Sequence, residues 1–312
     1  MSIVKLSNNG VKNATAFGSI TGLGSMTFIK SSLPNVTFAV TVADASGNKY
    51  FIDGVQQDTI ALYRGGTYTF DQSHSSNAGH PLRLSSTSNG THNSGSEYTT
   101  GVTTSGTAGS SGAKTVITVP QDAPTLYYYC TNHSNMGGTA NISGVSTISF
   151  VDGSDGVVLD DTYKEYLFTF KNIHPETDGQ QLKFQTSTNG GSSYGTTITS
   201  TYFIAYHNEN GSESALTYIT GSDQAQTTNF MVLGSGDNQS DSGIGGTMTL
   251  FNPSSTTFVK HFIGRTINDP SGYAQDEYTA GYFNTTSAIN AVQFKFASGN
   301  IDAGDICLYG IA

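Results

Sequence analysis

Apolar residues in this chain recur at every second position, in run after run, and almost nowhere at the spacing of a helix. KYFIDG, IALYRGGTYTF, KTVITV, TLYYYC, STISFVDG, KEYLFTFKNI, STYFIAYH, GTMTLFNP, AVQFKFAS and DICLYGI all alternate. A period of two turns one face of an extended strand toward a core. Gly, Asn, Asp and Pro separate the runs at hairpin-like distances. Sheets are the architecture that buries such runs, so the expected fold class is all-β. The 17 tyrosines and 17 phenylalanines supply the core, so a low charge content of 12% does not mean disorder here.

Charge and length narrow the function. The formal net charge is −10, and no cluster of Lys and Arg offsets it, which argues against nucleic acid as a partner. The opening MSIVKLSNNG has no apolar segment behind a basic one. Nowhere do about 18 apolar residues run uninterrupted. The expectation is a soluble chain, not exported by the general secretory route and not inserted in a membrane. Two cysteines, Cys130 and Cys307, are too few for a disulfide framework. In GDICLYGIA, Cys307 reads as a small apolar thiol in a buried terminal strand.

Three segments differ in character. Residues 1–34 alternate and end in GSMTFIKSSLP; residues 35–145 hold a Gly/Ser/Thr-rich excursion that reads as long surface loops; residues 146–312 carry the longer strands and the densest aromatic content. GVSTISFVDG begins a strand much as GLGSMTFIKS does. Either the middle segment is inserted into a loop of a domain made from the first and last, or the segments follow in simple tandem. In the first case residues 1–34 belong to the C-terminal domain or form an assembly arm.

The most chemically specific stretch is YYYCTNHSNMGG, residues 127–138. A Cys-x-x-His-x-x-Met run at the end of a strand has the composition of a mononuclear copper site. Thiolate and imidazole give two strong equatorial ligands, and a thioether gives a weak axial one. Cys130, His133 and Met136 are those residues. A second imidazole must come from elsewhere, and DQSHSSNAGHPLRLSS offers both His80 and His74. A copper ion fits this mixture better than zinc because of the thioether.

Other chemistries find less. Oxygen-reducing copper enzymes need further histidine clusters; His174, His207 and His261 stand alone and read as hydrogen-bonded or surface residues. Asp152, Asp155, Asp160 and Asp161 in VDGSDGVVLDD miss the EF-hand spacing and read as a solvated turn. Asp276 and Glu277, the candidates for paired carboxylates, read as loop charges. No Gly-x-Ser-x-Gly elbow or phosphate loop occurs. The chain is expected not to be an enzyme.

Two resemblances sharpen these expectations. TYTFDQSHSSNAGHPLRLSS followed by PTLYYYCTNHSNMGG resembles the cupredoxins, the blue-copper proteins of the plastocyanin, pseudoazurin and amicyanin group. It covers about the middle third of the chain. It implies a Greek-key sandwich with His80, Cys130, His133 and Met136 as copper ligands and Tyr128 inside. Pro81 departs from the pattern, standing where many cupredoxins carry an asparagine that steadies the cysteine sulfur. VVLDDTYKEYLFTFKNIHPETDGQQLKFQTSTNGGSSYG, TLFNPSSTTFVKHF and AGYFNTTSAINAVQFKFASGNIDAGDICLYGI, with the opening MSIVKLSNNGVKNATAFGSITGLGSMTFIK, resemble a family of virion proteins of marine tailed phages.

In shorter members of that family the opening runs almost directly into SFVDG, which favours insertion. The resemblance implies a jelly-roll-like sandwich, folded in the host cytoplasm and built into the virion. Its partners would be other virion proteins, further copies of itself as a trimer, and a host surface. The rival expectation is a blue-copper electron carrier with a docking sandwich.

Overall fold

The computed structural model describes residues 26–270 and 272–312; the expectations placed on residues 1–25 lie outside the described residues. The chain enters as β1 (Met26–Ser31), which runs antiparallel to the last strand, β23 (Ile301–Ile311), with Met26 opposite Ile311 and Ser31 opposite Cys307. β1 and the C-terminal strand therefore lie in one sheet.

Residues 35–142 then form two sheets of their own. The strands are β2 (Asn35–Asp44), β3 (Asn48–Ile52), β4 (Val55–Gln56), β5 (Ile60–Leu62) and β6 (Thr67–Asp71). They continue as β7 (Leu82–Ser85), β8 (Val102–Ser105), β9 (Lys114–Thr118), β10 (Leu126–Cys130) and β11 (Gly138–Ile142). One sheet has the order β4-β3-β2-β6-β9-β8 and the other β5-β11-β10-β7. Each contains one parallel pair, β2 with β6 and β11 with β5. Their inward faces meet in a core that includes Tyr50, Phe70, Leu84, Ile117 and Tyr128. Tyr128 lies inside as expected, 1% exposed, because it shares the inward face of β10 with Leu126 and Cys130.

The remaining strands build a larger sandwich. In chain order they are β12 (Ile148–Val151), β13 (Glu165–Pro175), β14 (Gln180–Ser187), β15 (Ile198–Asn208), β16 (Ser214–Tyr218) and β17 (Ala225–Thr227). After them come β18 (Met231–Gly236), β19 (Ile244–Phe251), β20 (Lys260–Asn268), β21 (Tyr273–Phe283) and β22 (Ala291–Phe296), ahead of β23. One sheet runs β1-β23-β13-β19-β20-β21-β15-β16, with β17 also on β15; the other runs β12-β22-β14-β18. The chain passes repeatedly from one sheet to the other, in the manner of a jelly roll.

Between these sheets the phenylalanines interlock edge to face. Phe294 on β22 meets Phe168 at 5.2 Å and Phe170 at 5.5 Å on β13, and Phe184 on β14 meets Phe262 on β20 at 5.0 Å. The alternation that produces this is cleanest on β20, KHFIGRTIN, whose residues are buried and exposed strictly in turn. The all-β class is thus observed.

Two expectations need correction. Asp276 and Glu277 are not loop charges: both lie within β21. Asp276 pairs with Arg265 on the outer face at 2.6 Å, whereas Glu277 is fully buried. Its carboxylate accepts from Ser235 N at 2.8 Å, Asn268 Nδ2 at 2.9 Å, Gln275 Nε2 at 2.7 Å and the Tyr202 hydroxyl. Cys307 is buried as expected but is not in apolar company. Lys171 Nζ lies 3.3 Å from its sulfur, and the thiol reaches Asp305 Oδ2 at 2.9 Å. Burial pushes that thiol's pKa up, assisted by Asp305 and opposed by Lys171.

Burial also pushes Glu277 from 4.5 up to about 7, against the opposing effect of the Ser235 N–H. Between those values the folded protein holds a proton that the unfolded chain releases. Stability from this group is therefore complete below pH 4.5 and is lost as pH rises through 7. The loss amounts to about 3 kcal/mol. Urea melts at pH 5 and pH 8 should show it, and Glu277→Gln should flatten the difference; an equal slope in the variant would rule Glu277 out as its source.

Candidate metal centre

Beside the middle core, three side chains bring ligand atoms within 4.8 Å of one another: His80, Cys130 and His133. Cys130 is the last residue of β10, and the strand's pleat turns its thiol inward beside Leu82 of the paired strand β7. His80 arrives from the segment between β6 and β7, immediately before the strand that pairs with β10. His133 lies three residues past Cys130, in the turn leading to β11.

Cys130 Sγ is 3.9 Å from His80 Nδ1 and 3.7 Å from His133 Nδ1, and the two rings are 4.6 Å apart, tilted by 45°. A sulfur and a nitrogen bound to one transition metal at bonds of about 2.3 and 2.0 Å, with angles between tetrahedral and trigonal, sit about 3.5–3.8 Å apart. The observed spacings are close to that range, so a single ion fits among the three atoms. These residues can hold a metal ion.

Chemistry agrees with geometry. Cys130 is fully buried and His80 nearly so, while His133 is exposed. Burial first, and then the neighbouring His133, lower the pKa of His80, which favours the neutral ring with a lone pair to donate. Its Nε2 lies 3.4 Å from the side-chain amide of Asn48. The atom facing it is the amide nitrogen Nδ2; with Nδ1 bound to a metal, Nε2 would carry the proton, and the Asn48 amide would have to turn its oxygen toward it to accept.

The backbone of His80 is held from two sides. Gln72 donates Nε2 to His80 O at 2.9 Å and accepts from Leu82 N at 3.0 Å, spanning the residue, while the Tyr50 hydroxyl donates to the same carbonyl at 2.7 Å. Buried Asn77 ties the preceding turn to Val40 O at 2.7 Å. The ligand turn is held as firmly. Asn132 Nδ2 donates to Gly79 O at 2.9 Å, joining it to the His80 segment. Asn135, at φ 61°, receives Lys49 Nζ on its carbonyl at 2.7 Å and gives its N–H to Asn89 Oδ1 at 2.7 Å. At Gly137 a Cβ would lie 1.6 Å from Tyr128 O, so only glycine lets the turn fold back on β10.

Of the residues singled out from the sequence, His80, Cys130 and His133 converge. Met136 is 1% exposed in the same core as Cys130, and its carbonyl accepts from Tyr50 N at 2.9 Å. The competitor His74 does not join them: it caps the turn Ser75–Asn77, its Nδ1 2.8 Å from Ser76 Oγ. His174 bridges Asp302 Oδ1 at 2.6 Å and Gln239 O at 3.0 Å. Among the described residues no other group of His, Cys, Asp and Glu has metal-ligand spacing.

Residues missed from the sequence are those that support the site. Gln72 and Asn48 act across strands, which no local spacing signals. His92, in what reads as a surface excursion, lies on the short helical turn Gly90–Asn93 and comes within 2.9 Å of Cys130 O through Nε2.

Fold and site together define an all-β protein with a cysteine–bis-histidine cluster able to hold a metal ion. Neither protein-family models, nor curated proteins, nor solved structures yield a match to the chain.

Proposed function

We propose that this protein is a non-enzymatic structural component of a phage particle, its large sandwich serving assembly and its middle region carrying a mononuclear copper site. The observation that carries the copper half is the convergence of one cysteine sulfur and two imidazoles beside a core of the middle region. That donor set, with Met136 buried in the same core as Cys130, suits copper, whose trigonal His₂Cys sites tolerate a weak axial sulfur. The particle half rests on the virion-protein resemblance of the first and last segments. The pairing of β1 with β23 supports it, because it joins the strands of those two segments into one sheet.

Copper bound only by the native state adds its binding free energy to folding, so the site serves a particle protein by stabilising the middle region even without an electron partner. In this reading the chain is synthesised in the host cytoplasm, assembles as a symmetric oligomer and contacts other virion proteins and the host surface. Mass spectrometry of purified particles tests it; absence of the polypeptide from virions removes the structural role. A second reading, an electron carrier docked by its sandwich, is favoured by the exposure of His133 beside buried Cys130 and His80. Fast, reversible exchange with a soluble redox partner would select it.

Met136→Leu tests whether the thioether reaches the metal. Met136→Leu keeps the apolar filling and removes the thioether, so copper affinity should change by no more than about tenfold while the reduction potential rises. Voltammetry of the loaded protein reads the shift, and an unmoved potential would show that Met136 is core filling alone.

A further inference from the structure

Among the described residues nine large apolar side chains are exposed, and six of them, Met26, Phe28, Leu216, Tyr218, Ile263 and Ile267, project from the outer face of the larger sheet. Strand register makes this one surface. Phe28 lies opposite Tyr309, Tyr309 opposite Leu167, Leu167 opposite Thr249, Thr249 opposite Ile263, and Ile263 opposite Ala280. One row over, Arg265, Tyr278, Phe203 and Tyr218 stand side by side. Phe203 and Tyr278 stack at 4.7 Å, and Arg265 sits 5.1 Å above the Tyr278 ring.

The charge at the middle of this face is already satisfied. Arg265 grips Asp276 with two hydrogen bonds, of 2.9 and 2.6 Å. The face thus has little net charge to attract an oppositely charged partner. The chain as a whole carries −10, so two copies repel one another least where these neutral surfaces meet. Eight strands at about 4.8 Å spacing and some six residues deep give an area on the order of 800 Å². The face as a whole, its threonines and the Arg265–Asp276 pair included, thus matches what each partner contributes to a stable interface, about 800 Å².

We propose that the outer face of the large sheet binds a second copy of this chain, face to face about a two-fold axis. A self-complementary surface of this kind closes on itself, so the contact yields a dimer and no open filament. The inference rests on the assembly reading above and gives it a two-fold contact in place of the trimer expected from the sequence.

Sedimentation velocity of the full chain at tens of micromolar tests it. The wild-type protein should sediment as a dimer, and Leu216→Asp combined with Ile263→Asp should weaken association by at least 100-fold. Both positions are solvent-exposed, so the fold survives, and unchanged far-ultraviolet dichroism verifies that. Val55→Asp, exposed on the middle region, should leave the dimer intact. A wild-type monomer, or a dimer that the double variant does not loosen, overturns the proposal. Either result leaves the presence of the chain in particles to be decided separately by mass spectrometry.

Discussion

On the copper reading proposed above, adding copper(II) to the wild-type protein should produce an intense visible absorption, and Cys130→Ser should abolish it. That absorption is a charge transfer from thiolate to metal, and the alkoxide or alcohol of serine cannot supply it. Cys130 is also the strongest donor of the three, lying 3.7 and 3.9 Å from the two imidazole nitrogens. Its removal should cost more than about 100-fold in affinity, beyond the upper end of what loss of an outer-shell partner costs. His80→Ala should weaken binding comparably, because the remaining pair leaves a trigonal ion without a ligand. His74→Ala should do nothing, since that ring only caps the turn Ser75–Asn77. Titration followed by absorbance distinguishes these cases, and a band that persists in Cys130→Ser would place the metal elsewhere.

The second large effect is expected in the other core. Phe294 is fully buried and its ring contacts those of Phe150, Phe168, Phe170 and Phe184, so it joins both sheets of the large sandwich. Phe294→Ala removes the hub of that aromatic cluster and leaves a cavity that sheets on either side cannot readily close. The expected loss is about 3–5 kcal/mol, read from the urea midpoint at constant m-value. The middle region has its own core, built from residues such as Tyr50, Phe70 and Tyr128, and should still take up copper under native conditions. A loss below about 1 kcal/mol would mean that the cluster repacks around the gap.

Much of the strand content was legible because alternation is local: β20 shows its buried and exposed faces in nine consecutive letters. The metal cluster was legible in part for a similar reason. Cys130 and His133 are three residues apart, and His80 precedes a strand that happens to pair with β10. What separated His80 from His74 was the turn geometry that sends one ring inward and makes the other a cap, and composition does not encode that. Glu277 was misread because YAQDEYTAGYF does not alternate apolar and polar cleanly, so its strand passes for a loop, and no local signal reveals that Tyr202, Asn268 and Gln275 gather around the carboxyl as donors. Cys307 was misread likewise, since Lys171 arrives from a strand over a hundred residues away. Gln72 and Asn48 support His80 through folding alone.

The way the chain leaves and re-enters the large sandwich has a further consequence. Ser32 N bonds to Ile306 O at 2.9 Å on the way out, and Val145 N bonds to Ile301 O at 2.8 Å on the way back. Both crossings are thus stitched to β23, five positions apart, a span of about 17 Å along an extended strand. The region between them is tied back a second time, through Tyr63, which packs in the large core and donates to Gly304 O at 3.3 Å, and through Arg64, 3.9 Å from Asp302 Oδ2; a bridge of about five or six residues could span the seam, but it would give up those anchors along with the middle region.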